Sequence, residues 1–278
     1  MSEAKLPEEL IREIIRLCIP PFCPKAFLKF PVGRTSQQRS SERAEMAGIL
    51  LVSRRWLRIG TPMFYKGVVL WTSRQTSAVA RLVATDPAVG RMIQYLRLES
   101  GSMTRPRDLA KLAENAPSIR TVYVEGDLCQ DDSYDGLLRA VRYLRPTKLY
   151  IAVCPEVAWS AYGPTTRRRE NLAVLSGIVG MWTSVTEIHF SDGEALGHMW
   201  QHCLHTLTSL REVHIPTPPD RSNSPLSPTV VTYAQSPAFK RVVFHGTEKR
   251  DYVTRCFEKA KGHGTEHANT LAWEDELD

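Results

Sequence analysis

Histidine and cysteine are the side chains best suited to chemistry in this chain, and their spacing is uneven. His198, His202 and His205 stand at i, i+4 and i+7 beside Cys203. On a helix that spacing lines three imidazoles along one stripe, an arrangement zinc uses when a further ligand and ordering hydrogen bonds complete it. No H-E-x-x-H accompanies them, and the stripe borders an apolar helix face. A solvated helix edge is therefore the expected reading, with no metal and no cofactor. Arg167-Arg168-Arg169 is a short basic run of the kind that is ordinarily just solvated. Ser224-Pro225 and Ser227-Pro228, within PTPPDRSNSPLSPT (216–229), are proline-directed phosphorylation candidates that would add negative charge. The chain has no glycine-rich phosphate loop, no G-x-S-x-G elbow and no paired-cysteine metal motif. Nothing assigns a histidine to a nucleophile, so catalysis is not expected.

The elements that must position any site come from patterning. Over 278 residues, 42% are hydrophobic and 24% charged, values of an ordinary globular chain large enough for a core. No run of 18 apolar residues exists, so no membrane span is expected. The opening MSEAKLPEEL has acids where a signal peptide needs a positive flank. Six cysteines (Cys18, Cys23, Cys129, Cys154, Cys203, Cys256) form no C-x-x-C. Together these features predict a cytoplasmic or nuclear protein with reduced thiols.

The net charge of +6 lies wholly in the first quarter. Residues 1–66 hold twelve Lys/Arg and six Asp/Glu, and the remainder holds twenty-four of each. Lys25, Lys29, Arg34, Arg39, Arg43, Arg54, Arg55 and Arg58 have only Glu42 and Glu45 in their stretch. Such a patch suits an acidic partner. Because the rest carries no net charge, that partner is expected to be protein rather than nucleic acid.

Two helices are predicted there. In the first, Pro7 suits an opening helical turn, and Glu8 and Glu9 complement the positive end of the helix dipole. Leu10, Ile11, Ile14, Ile15 and Cys18 then recur at helical spacing. Pro20, Pro21 and Pro24 stop it. After a basic, polar stretch to Ser41, the second has Met46, Ile49, Leu50, Ser53, Trp56 and Leu57 on one side and ends near Gly60 and Pro62. Two such helices must pack on something else to be stable.

From residue 67 the chain repeats. An apolar residue, two others, an apolar residue, one other and an apolar residue recur as Ile93/Leu96/Leu98, Ile119/Val122/Val124, Val185/Ile188/Phe190, Leu210/Val213/Ile215 and Phe239/Val242/Phe244. Weaker copies are Val68/Leu70 and Leu149/Ile151. The last apolar positions fall at 70, 98, 124, 151, 190, 215 and 244, with gaps of 28, 26, 27, 39, 25 and 29. The long gap contains an inserted loop, PEVAWSAYGPTTRRRE (155–170). Helical patterns lie between, at Pro106–Asn115, at Tyr134–Leu144 and through Leu196, Met199, Trp200, Cys203, Leu204 and Leu207. A short strand and a helix per unit of roughly 20–29 residues is the leucine-rich-repeat signature. The fold class predicted is α/β: a small N-terminal helical unit over residues 1–66, with an inserted loop at about 20–41, then an irregular solenoid of short parallel strands and outer helices over 67–262. The tail 263–278 holds five acids and no Lys or Arg, and is predicted to be disordered.

In each strand the second and third apolar positions point inward, so the residue between them points outward along a concave face. That column reads Val69, Arg97, Tyr123, Tyr150, His189, His214 and Val243, flanked by Tyr95, Glu99, Glu125, Lys148, Glu187, Glu212 and His245. Strands about 4.8 Å apart would make it a continuous exposed aromatic and imidazole strip. Rings aligned in this way suit protein recognition, offering large contact area at low entropy cost.

LPEELIREIIRLC followed by LLVSRRWLRIGTPMFYKGVVL resembles the F-box-like domain that opens many fungal leucine-rich-repeat proteins. The resemblance rests on Leu6-Pro7, the apolar helix through Leu10, Ile11, Ile14 and Ile15, and the stretch Leu51-Val52-Ser53-Arg54-Arg55-Trp56, with an insertion at about Pro20–Ser41 as the departure. It implies a substrate receptor of a cullin-RING ubiquitin ligase, docking on a Skp-type adaptor while its repeats hold a target protein. The docking residues it implies are Leu6, Pro7, Leu10, Ile11, Ile14 and Ile15, with Val52 and Trp56 behind them. The target residues are then Arg97, Tyr123, Tyr150, His189, His214 and His245. The alternative is a leucine-rich-repeat scaffold without ligase coupling.

Overall fold

The computed structural model describes residues 6–18, 48–99, 106–125, 134–152, 166–191, 203–204, 206–216, 241–245 and 270–273. The basic stretch 20–41, His198, His202, His205 and both Ser-Pro dipeptides lie outside the described residues.

Helix α1 (Glu8–Cys18) begins where the Pro7 carbonyl accepts a hydrogen bond from the Ile11 N–H at 3.1 Å. Glu8 and Glu9 fill its first turn and Arg16 its last, matching the helix dipole at both ends. Helix α2 spans Arg54–Tyr65, which corrects the single apolar helix from Met46 to Pro62. The chain turns at Leu51–Val52, and the Ser53 hydroxyl caps a new helix by accepting from the Trp56 N–H at 3.3 Å. Pro62 lies inside this helix rather than beyond it. In the turn before it, Thr61 Oγ1 donates to the Leu57 carbonyl at 2.6 Å.

Ile11, Ile15, Leu50 and Ile59 form the small core between α1 and α2. Glu8 pairs with Arg55 at 3.6 Å and also with Arg58. These contacts are solvent-exposed, so they orient the two helices more than they stabilise them. Tyr65, at the end of α2, packs on the main core, and the chain enters the sheet at once.

The sheet has eight strands: β1 (Gly67–Leu70), β2 (Tyr95–Leu98), β3 (Thr121–Glu125), β4 (Lys148–Ala152), β5 (Glu187–Phe190), β6 (Glu212–Pro216), β7 (Arg241–His245) and β8 (Thr270–Trp273). All pairings are parallel and the spatial order is the sequence order. The fold is thus α/β with an open parallel sheet. The helices described between strands are α3 (Ser73–Thr85), α4 (Pro87–Met92), α5 (Pro106–Asn115), α6 (Asp135–Ala140) and α7 (Thr166–Gly180). Thr72 and Asp86 cap α3 and α4, and Pro87 occupies the first turn of α4. Among the described residues no helix is long and apolar enough to cross a membrane.

The apolar repeat maps onto the register. Val68, Leu96, Val122, Leu149, Ile188, Val213 and Val242 lie side by side, and all belong to one buried core with Leu109, Leu112, Leu137, Ile178 and Val179 of the helices. In four of the five full units the first apolar position is described, and it is buried in a recurring turn before its strand. There, Ile93, Ile119, Val185 and Leu210 each donate to a carbonyl three residues earlier, at 3.0–3.3 Å. Trp182 is the largest fully buried side chain among the described residues, and its Nε1–H donates to the Val141 carbonyl at 3.2 Å, tying adjacent units together.

Two boundaries differ from the sequence reading. Arg167–Arg169 belong to the first turn of α7, not to the inserted loop. Strand β8 falls inside the acidic segment predicted to be disordered, because Leu271 and Trp273 follow Val242 and Phe244 by 29 residues each and continue their register. A hydrophobic alternation there outweighs the surrounding acids once β7 offers an edge to pair with.

Candidate functional site

Two surfaces carry the residues that the sequence singles out. The first is on α1 and α2. Ile11 and Ile15 face α2 and are buried, while Leu6, Pro7 and Leu10 are exposed and Ile14 is intermediate. On α1, positions 10 and 17 fall on one stripe, opposite Ile15. Leu17 accordingly projects to solvent with Leu6 and Leu10. Leu51, Val52 and Leu57 are exposed in and after the turn into α2, and Trp56 packs against the small core. The eight residues Leu6, Pro7, Leu10, Ile11, Ile14, Ile15, Val52 and Trp56 therefore divide between a core and a surface. Leu17 and Leu51 are the most exposed large apolar side chains of this unit among the described residues, and the helical spacing from Leu10 points to Leu17.

The second surface is the sheet face opposite the helices. The register sets Arg97 beside Tyr123, Tyr123 beside Tyr150, Tyr150 beside His189 and His189 beside His214. His245 stands opposite Pro216, two residues past Val243 on the same side. The predicted column is therefore continuous. It is not the exposed strip anticipated, because Arg97, Tyr123 and His214 are buried and Tyr150, His189 and His245 only partly open. The physical reason is stacking: in-register rings on neighbouring strands cover one another's faces. Ring centroids lie 4.1 Å apart for Tyr150–His189, 3.8 Å for His189–His214 and 5.1 Å for His214–His245. The Arg97 guanidinium caps the Tyr123 ring at 4.0 Å and donates to Glu99 at 2.7 Å.

Charged groups line this column. Lys148 Nζ and His189 Nε2 both lie 2.5 Å from Glu187 carboxylate oxygens. Arg241 pairs with Glu212. His214 Nδ1 is 3.0 Å from His245 Nε2, and His214 Nε2 is buried without a hydrogen-bond partner. Burial opposes ionisation of Glu187, yet hydrogen bonds from His189 and Lys148 outweigh it and hold the carboxyl down at about 2. Burial, reinforced by His189, holds His214 down at about 2. Burial also lowers His189, against the opposing pull of Glu187. The Tyr150 phenol is raised by burial and by the negative charge of Glu187. At neutral pH the cluster is therefore two neutral imidazoles at His189 and His214, a carboxylate and a neutral phenol.

No protein-family model matches the chain, and no curated protein matches it in sequence.

Proposed function

We propose that this chain is the substrate-recognition subunit of a cullin-RING ubiquitin ligase, an F-box-like unit docking on a Skp-type adaptor and irregular leucine-rich repeats holding a target protein. The observation that carries the reading is the set of exposed apolar side chains on α1 and at the turn into α2. Leu6, Leu10, Leu17, Leu51, Val52 and Leu57 are each exposed, while the described core of this unit holds four buried apolar side chains. A set of that kind in so small a unit marks a protein-binding surface. Its residues are largely those through which the sequence resembles the F-box. In this reading the chain does no chemistry. It raises the effective concentration of a target lysine near the ligase's catalytic partner, working in the cytoplasm or nucleus.

Target contact falls to the open edges of Tyr150, His189 and His245, while the buried Arg97, Tyr123 and His214 hold those rings in place. Substituting Tyr123 would therefore test packing rather than contact. The test of the function is co-purification of the full chain with a Skp-type adaptor, beside a Leu10→Asp, Leu17→Asp variant. Stoichiometric wild-type capture, lost in a variant whose circular dichroism is unchanged, is the expected result. No capture by folded wild-type chain would leave a repeat scaffold without ligase coupling.

A further inference from the structure

Three consecutive strands each bring one histidine to the same place on the sheet. His189 on β5 and His214 on β6 are register partners, and His245 on β7 reaches across from two residues beyond the partner of His214. One ring nitrogen from each lies within 4.8 Å of the other two. Carboxylates surround them: Glu187 Oε1 is 2.5 Å from His189 Nε2 and 3.8 Å from His214 Nε2, and Glu212 Oε2 is 3.5 Å from His214 Nε2. We propose that His189, His214 and His245, completed by the Glu187 carboxylate, bind a divalent transition-metal ion of the zinc class. This stands independently of adaptor docking.

The donor chemistry selects the ion. Three imidazoles and one carboxylate suit borderline metals such as zinc, whereas magnesium and calcium prefer all-oxygen sites. The buried His214 Nε2 lacks a hydrogen-bond partner while facing two carboxylates beyond hydrogen-bond range. Such an orphaned polar atom is costly in a simple aromatic stack, and a cation between it and Glu187 would relieve the cost. Tyr150 stacks on His189 at 4.1 Å and Lys148 holds Glu187, supplying the outer partners that orient metal ligands. Small side-chain rotations bring the nitrogens and Glu187 Oε1 to a common ion while Lys148 keeps Oε2.

The test uses the full chain, stripped with chelator and dialysed, with no adaptor present. Zinc is titrated calorimetrically into wild type, His189→Gln, His245→Asn and a His198→Asn, His202→Asn, His205→Asn control. One zinc per wild-type chain is expected, with binding weakened tenfold or more in each of the first two variants and unchanged in the control. X-ray absorption of zinc-loaded wild type gives a second measurement that needs no variant to fold. It should report a nitrogen and oxygen shell with several imidazoles. Absence of zinc binding, binding lost only in the control, or a sulfur ligand, which would place the ion at a cysteine, overturns the proposal.

Discussion

The division of α1 into a buried and an open face makes a double dissociation. Ile11 and Ile15 are 2% and 0% exposed, whereas Leu10, Leu17 and Leu51 are 51%, 81% and 80% exposed. Burying a whole leucine contributes about 1.5–3 kcal/mol, so each of the three has roughly half to four-fifths of that still to gain on a partner. Leu→Ala at each should therefore weaken the adaptor complex by about 1–2 kcal/mol, roughly five- to thirty-fold. The same changes should leave the free chain within about 0.5 kcal/mol of wild type, as surface substitutions ordinarily do. Ile11→Ala and Ile15→Ala should do the reverse at the level of the fold, costing about 2–5 kcal/mol through lost burial and a cavity. Hydrogen–deuterium exchange of α1 and α2 peptides reads that local stability, and calorimetric titration with a Skp-type adaptor reads affinity. If Leu17→Ala loosened α1 as much as Ile15→Ala, the assignment of the two faces would be refuted. If all three leucine variants bound adaptor like wild type, the docking surface would be.

Gly90→Ala should cost about 1–3 kcal/mol of global stability in urea unfolding, because the added carbon would collide with the Asn115 carbonyl oxygen where α4 crosses the end of α5; an unchanged midpoint would refute that close approach. Burial pushes the Cys203 thiol up to about 12, so peptide mapping after iodoacetamide at pH 8 should find Cys203 alkylated only once the chain is denatured. Acid should destabilise the metal-free chain below pH 6.5, for His214 takes up its proton near 6.5 when unfolded but near 2 when folded, and the unfolded state therefore binds more protons between those values. Between pH 7 and 5 this amounts to about 2 kcal/mol, with His189 acting in the same direction among Glu187, Glu212, Lys148, Arg241 and His245. Glu187 adds a later loss, since its stabilisation is complete above 4.5 and disappears as pH falls towards 2. Equal pH dependence in wild type and His214→Asn would contradict this.

The strands were legible because each places two apolar residues on one side at a near-constant interval, and burial against the helices makes that alternation obligatory. Strand β8 escaped because composition speaks for a window while pairing acts on single positions. Leu271 and Trp273 keep the interval of 29 from Val242 and Phe244 amid acids that suggest disorder. The break between the short helical turn at 48–50 and α2 was missed for a similar reason. Met46, Ile49, Leu50, Ser53, Trp56 and Leu57 keep helical spacing across it, and only the Ser53 hydroxyl, as a cap rather than a surface polar residue, marks the new start.

The histidine cluster shows why local spacing is the wrong ruler in a repeat protein. A search along a helix finds His198, His202 and His205, three imidazoles within eight residues. The sheet instead assembles His189, His214 and His245, which are separated by 25 and 31 residues. The first interval is one repeat of this array. The second is the next repeat, of 29, plus the two residues that return a side chain to the same face of a strand. Adjacent parallel strands then set His189 and His214 about one strand spacing apart, ~4.8 Å, with His245 at the diagonal position about 7–8 Å from His214 along the backbone, without any contiguous motif. Ligand sets in such folds should therefore be sought at the repeat period plus multiples of two. His189, His214 and His245 satisfy that rule on consecutive strands, with Glu187 two residues before the first of them on the same face.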